Sequence, residues 1–514
     1  MVESRKKNSS MNLIWALIKY TISIITAFTL RTLTLKAFGD VFSGLISLYS
    51  NIISILSITE LGIGTALIYK MYKPVADGDD TKVRTLTVAY KKIYYAIAGI
   101  ILTLGLIIMP FLSFLTGDIV LNNGNIYYVF IFYLVNCLIT YTVGHRKALL
   151  FTMQRNWVEN FAMSVSILVV FPVQIYILNI VKDFYIYLAC ETVIKIIECL
   201  IIVLCSNKYY KKIMKAPKER LSQEDRKELV KNTYALSYSR IASTVFTGVD
   251  SIIISTCLGV VSVFLYSNYY LILTYLFSIL NLVFNAVRAS VGNYINIKTL
   301  EETKTLFRQL NLASFFIVCF CGVTLFCLFQ PFMYWWSGLA NNNMLLPLIV
   351  PLIMSIYFYV DRSRQMVQIF KETAGLFWKD RFVPLFASIL NIVLSIILAF
   401  VMGIEGVILA SLISVLLPAI VEIQITYKDL FKESPKRFWI DYIFKFGLFV
   451  LEMAGTFFIC ELIPLVGVLG LCVRIVVCFI ITTMLNILIF MRTETFRGLI
   501  SKLNLRRFFK RDKV

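Results

Sequence analysis

The tetrapeptide Leu48-Tyr49-Ser50-Asn51, set in SGLISLYSNIISIL, returns as Leu265-Tyr266-Ser267-Asn268 in VSVFLYSNYYLIL. Each copy is followed by a second match: Asp79-Asp80-Thr81-Lys82 begins 31 residues after the first, and Glu301-Glu302-Thr303-Lys304 begins 36 residues after the second. Two matches in the same order at near-constant spacing are the mark of an internal duplication, here offset by roughly 220 residues. The flanks of both copies are rich in apolar residues, so the repeated unit is a set of hydrophobic segments.

Hydrophobic residues make up 59% of the 514 and the mean hydropathy is +0.79, well above the ~45–50% apolar usage of soluble domains. Apolar runs of about 20 residues, enough to cross ~30 Å of hydrocarbon, recur from end to end. Helices satisfy their own backbone in lipid, so the expected fold is an all-α integral membrane protein. The pattern predicts fourteen transmembrane helices, near 12–35, 42–69, 93–115, 126–149, 158–180, 184–206, 234–257, 262–288, 309–335, 345–369, 381–402, 406–427, 439–462 and 467–491. The longest charged connection, 207–232, follows the sixth. It divides an N-lobe (1–206, spans 1–6) from a C-lobe (233–427, spans 7–12), leaving 428–514 as two further spans and a basic tail. The repeats start from the same side, so they are parallel repeats about an axis along the membrane normal, an arrangement that supports alternating access.

Lys and Arg concentrate in alternate connections: the N-terminus, 70–92, His145-Arg146-Lys147, 207–232, Lys298 to Arg308, Arg362 to Arg381, Lys428 to Arg437 and the tail. Short cytoplasmic connections hold the positive excess, so this side is expected to be the cytoplasm, with both termini inside. Lys36 and Lys182 are the exceptions. The net charge of +20 is thus a topological signature rather than a nucleic-acid groove, with contact to anionic membrane lipids as a consequence. The eleven cysteines fall almost entirely inside spans and show neither a disulfide framework nor zinc spacing, so reduced packing residues and no metal are expected. The first apolar segment is too long for a cleavable signal peptide.

Enzyme chemistry finds little support. The dipeptide Gly-Lys of a phosphate-cradling loop is absent from the chain, which argues against ATP hydrolysis. His145 is the one histidine and reads as a solvated loop residue. No cofactor is expected. A membrane glycan polymerase or ligase would place an acidic site on a large extramembrane loop, and none is evident.

Ionisable residues within spans are expensive and default to functional candidates. Arg31 and Asp250 stand 17 and 15 residues before the two LYSN copies, nearly equivalent in the repeats and opposite in charge. Two readings are open: a cross-lobe or cavity-facing pair that helps close the outward gate, or else a buried structural pair or a snorkelling Arg31. Glu191, Lys195 and Glu198 share a helical face by spacing, as a self-neutralising stripe or a wet cavity wall. Glu60, beside Gly62 and Gly64, and Glu191 are candidates for coupling to H+ or Na+. Arg288 and Asp361-Arg362-Ser363-Arg364 lie near span ends, where interfacial anchoring competes with function; Arg474, well inside the last span, has no such reading.

The stretch Arg31–Tyr72, RTLTLKAFGDVFSGLISLYSNIISILSITELGIGTALIYKMY, followed by DGDDTK, resembles the bacterial oligosaccharide flippases, the polysaccharide-transporter branch of the multidrug/oligosaccharidyl-lipid/polysaccharide (MOP) exporter superfamily. The likeness extends over the full length in span count and repeat layout. It implies a two-lobed transporter in the bacterial cell membrane that moves undecaprenyl-diphosphate-linked oligosaccharide from the inner to the outer leaflet for capsule or exopolysaccharide assembly. A lipid-borne diphosphate needs cationic contacts in an apolar cavity, for which Arg31, Lys195 and Arg288 are the candidates. The alternatives are a lipid II flippase of the same superfamily and a multidrug/cation antiporter, the latter usually with twelve spans.

Overall fold

A computed structural model describes residues 2–57, 63–117, 125–217, 219, 223, 227, 244 and 248–503. The described residues are helical throughout, joined by short turns. In chain order the helices are α1 (Val2–Leu56), α2 (Ile63–Asp77), α3 (Asp80–Ile108), α4 (Ile126–Thr152), α5 (Trp157–Tyr176), α6 (Phe184–Tyr209) and α7 (Gly248–Leu258). They continue as α8 (Val260–Ile297), α9 (Leu300–Ala340), α10 (Ile349–Ser363), α11 (Gln365–Thr373), α12 (Val383–Met402) and α13 (Ile404–Ile425), then α14 (Lys436–Glu461), α15 (Gly467–Phe490) and α16 (Glu494–Leu503).

Among the described residues ten helices are long and apolar enough to cross a membrane, and the chain is a multi-pass membrane protein. Of the fourteen expected spans, four fall outside those ten, each for a local reason. Residues 42–69 are shared between the end of α1, beyond a break at Gly39 (φ 84°), and α2, with 58–62 outside the described residues. The 234–257 span is described only from 248, apart from residue 244. Helix α6 holds Glu191, Lys195 and Glu198, and 345–369 is broken at Arg364 between α10 and α11. The 207–232 connection lies largely outside the described residues.

The duplicated sequences have a structural meaning. Asp79 caps α3, its carboxylate accepting from Lys82 N at 2.8 Å, and Thr299 with Glu302 forms a capping box at the start of α9. Both acidic stretches therefore start a helix, satisfying N–H groups that have no intrahelical partner and complementing the positive end of the dipole. Both LYSN copies lie inside helices, α1 and α8, with Tyr49 and Tyr266 buried.

The chain forms two compact units, Met1–Ser267 and Asn268–Val514. In the first, α3 packs on α4, α4 on α6, α6 on α5 and α5 on α1, around Val83, Leu86, Leu149, Val158 and Ile202. In the second, α9 packs on α10, α10 on α13 and α13 on α12. The packing order is the same, with α3, α4, α5 and α6 matched by α9, α10/α11, α12 and α13. Helices α14, α15 and α16 pack on α9. Close approach relies on small polar residues, as at Asn391 Nδ2 donating to Ser411 Oγ (3.0 Å) between α12 and α13, because lipid supplies little hydrophobic drive between helices. Phe400, Val401 and Leu451 remain exposed, as a lipid-facing surface requires.

Candidate functional site

Near the C-terminal end of α4, Lys147 Nζ binds Glu198 Oε1 of α6 at 2.7 Å and Glu159 Oε1 of α5 at 3.1 Å. Lys195 adds a longer contact to Glu198 at 3.5 Å. The same design recurs in the second unit, where Lys371 of α11 binds Glu422 of α13 at 3.0 Å and also binds Asp380. The Lys–Glu separation is 51 residues in both units. Two lysines therefore clasp homologous helices, each through a glutamate at the matched position.

The surroundings differ. Lys147 and Glu159 line a cavity of about 310 Å³ together with Tyr90, Tyr94, Tyr141 and Gly144, and the Lys147 side chain is 22% exposed. Gly144 keeps that wall open to Tyr94: a Cβ there would stand 2.5 Å from the ring. Lys371 is only 3% exposed. Around it Arg364 binds Glu422 (2.9 Å) and Asp361 (3.1 Å), and Arg362 binds Asp361 and donates to Asn281 Oδ1 at 2.8 Å. Counting Asp361, Arg362, Arg364, Lys371, Asp380 and Glu422, three positive and three negative charges cancel in the buried group.

Arg31 lies in the middle of the other constellation in the first unit. Its guanidinium donates to Ser47 Oγ (2.9 Å) and Ser267 Oγ (2.5 Å) and sits over the Phe264 ring at 5.5 Å. Tyr133 and Tyr187 lie within electrostatic reach of both Arg31 and Glu191. Glu191 accepts from Gln174 Nε2 at 2.6 Å. Asp250 accepts from Tyr266 Oη at 3.2 Å, so the tyrosine of the second LYSN copy orients the aspartate while its serine meets Arg31. A guanidinium among hydroxyls and aromatic faces is suited to an anion that offers several acceptor oxygens.

A family model for polysaccharide biosynthesis proteins matches residues 6–288, more than half of the chain. The chain belongs to this family. Among solved structures it is similar to the lipid II flippase MurJ in an inward closed conformation, at 14% identity and a TM-score of 0.61, with 95% of this chain and 100% of that chain covered. It is also similar to an inward-facing multidrug resistance MATE family transporter of the MOP superfamily, at 14% identity and a TM-score of 0.55, covering 79% and 96%. An outward-facing MATE family transporter of the same superfamily matches at 15% identity and 0.51, covering 81% and 94%. Among curated proteins no relative matches. The fold is the one these flippase and transporter structures have.

The polysaccharide-family member thus brings Arg31 and Glu191 into one neighbourhood, with Lys195 and Glu198 further along α6. Arg288 stands elsewhere, ion-paired with Glu372 in the second unit. Glu60 lies outside the described residues. His145 corrects the expectation of a solvated loop residue: it is buried within α4, which runs on to Thr152. Asp361 and Arg362 are also buried. Arg474 finds its partners at the α14–α15 turn, donating to Ile463 O and Leu465 O at 2.9 Å each. Sequence reasoning missed Lys147, Glu159, Lys371, Asp380 and Glu422. The signal was available in the duplication, since Lys371 and Glu422 follow Lys147 and Glu198 by the same step.

Proposed function

We propose that this chain flips undecaprenyl-diphosphate-linked oligosaccharide across the bacterial cytoplasmic membrane for capsule or exopolysaccharide assembly, through fourteen spans and with both termini in the cytoplasm. Membership of the polysaccharide biosynthesis family carries the reading, and the full-length fold match to a lipid flippase supports it. In this reading Arg31 receives the diphosphate, its serine and tyrosine neighbours reorienting as donors once an anion arrives. Lys195 and Arg288 contribute when their contacts to Glu198 and Glu372 open. Glu191 and Glu60 are the coupling candidates for H+ or Na+, and Asp250 the gate partner of Arg31. Outward movement of negative charge is favoured by an inside-negative potential, by about 2.3 kcal/mol per charge per 100 mV.

Deletion of the gene tests the substrate: a lipid-linked saccharide with its complete repeat accumulates on the cytoplasmic leaflet and surface glycan falls. A second reading, lipid II transport, is favoured by the full coverage of the MurJ chain. It predicts instead that lipid II accumulates. Orientation is checked by single cysteines, since an impermeant thiol reagent on intact cells should label positions Asn122 and Asn342 and spare Gln223. Labelling at Gln223 would reverse the topology.

A further inference from the structure

Three cysteines far apart in sequence meet in the second unit: Cys327 of α9, Cys460 of α14 and Cys478 of α15. All are buried, and their sulfurs lie within 4.8 Å of one another. We infer that this trio is a binding site for a soft monovalent metal, cuprous copper, which fastens α14 and α15 to α9.

The donor set selects the metal, and the spacing accommodates it. Sulfurs about 2.3 Å from a central ion in a planar triangle stand about 4.0 Å apart, and Cys460 Sγ to Cys478 Sγ measures 3.9 Å. Thiolates prefer soft ions. Among the described residues the group has three ligands and no fourth carboxylate or imidazole, whereas structural zinc wants four. The outer contacts fit as well. Thr324, one turn before Cys327, has a buried hydroxyl within hydrogen-bonding reach of Cys478, placed to donate to a metal-bound sulfur as supporting groups do. Arg474 lies within electrostatic reach of Cys460. Metal-bound sulfurs are thiolates, so three protons leave on binding, and the Arg474 guanidinium offsets part of the negative charge that remains around the ion. Arg474 also lines a cavity of about 940 Å³ with Gln330, Trp335 and Glu461.

The site is independent of the proposed transport substrate and is tested on the full chain, purified, reduced and held anaerobically. Titration with cuprous ion against a cuprous chelator should load one equivalent, and X-ray absorption should show copper–sulfur scattering. Cys327→Ser, Cys460→Ser and Cys478→Ser should each weaken retention by about tenfold or more, while Cys257→Ser leaves it unchanged. A readout without variants guards against misfolding: cuprous ion should protect these three thiols, and not Cys257, from alkylation followed by mass spectrometry. Equal retention by wild type and the triple serine variant, alkylation insensitive to copper, or a Cys460–Cys478 disulfide that takes up no copper after reduction would each overturn the inference.

Discussion

The Lys147 and Lys371 clusters are the same device in two environments. Each joins one lysine to two carboxylates, with the lysine and one glutamate at matched positions in the two units; the second carboxylate is Glu159 inside α5 in the first and Asp380 in the turn before α12 in the second. Around Lys147 a cavity reaches the ammonium and Glu159. Lys371 itself is closed off, a cavity of about 230 Å³ reaching its neighbour Arg364, and Arg362, Arg364 and Asp361 extend the pair into a neutral six-residue network. Duplication preserves the clasp, and burial decides its energetics: charges withdrawn from water depend on one another, whereas charges beside a cavity can fall back on solvent.

That contrast sets the size of the effects. Lys371→Met should be the most damaging, costing about 3–5 kcal/mol because Asp380 and Glu422 are left buried with less compensation. Thermal unfolding of the purified protein reads this, and Lys371→Met combined with Asp380→Asn should recover part of the loss. Lys147→Met should cost about 1–2 kcal/mol, between the exposed and buried limits. Equal losses for the two lysines would break the comparison. Glu159→Gln, at a side chain 36% exposed, should change stability by less than about 0.5 kcal/mol; an effect as large as that of Lys147→Met would mean that the cavity is dry.

Much of this was legible in the residues, and what was not has a physical reason. Long apolar runs and the LYSN repeat reported helices and duplication, because those signals are local or periodic. Arg31 stood out since a cation deep in an apolar run has little other explanation. The clasps stayed hidden because a carboxylate's partner is chosen in space. Glu198 was read within its own helical stripe, yet it lies closer to Lys147 (2.7 Å) than to Lys195 (3.5 Å). The run His145-Arg146-Lys147 looked like a loop because an apolar scan stops at charge; the helix stops later, where Gln154 turns to φ 60°. The cysteine trio draws on helices α9, α14 and α15, whose adjacency no spacing rule encodes.

The central claim is that a lipid-borne diphosphate glycan crosses through this protein, with Arg31 as its cationic contact. The direct measurement is reconstitution into proteoliposomes containing a fluorescent undecaprenyl-diphosphate oligosaccharide, with its exposure in the opposite leaflet followed over time. The account predicts rapid movement with the wild-type protein, loss with Arg31→Ala and partial return with Arg31→Lys, where a point charge replaces a bidentate fork. No movement by folded wild-type protein, or full activity in Arg31→Ala, would contradict it.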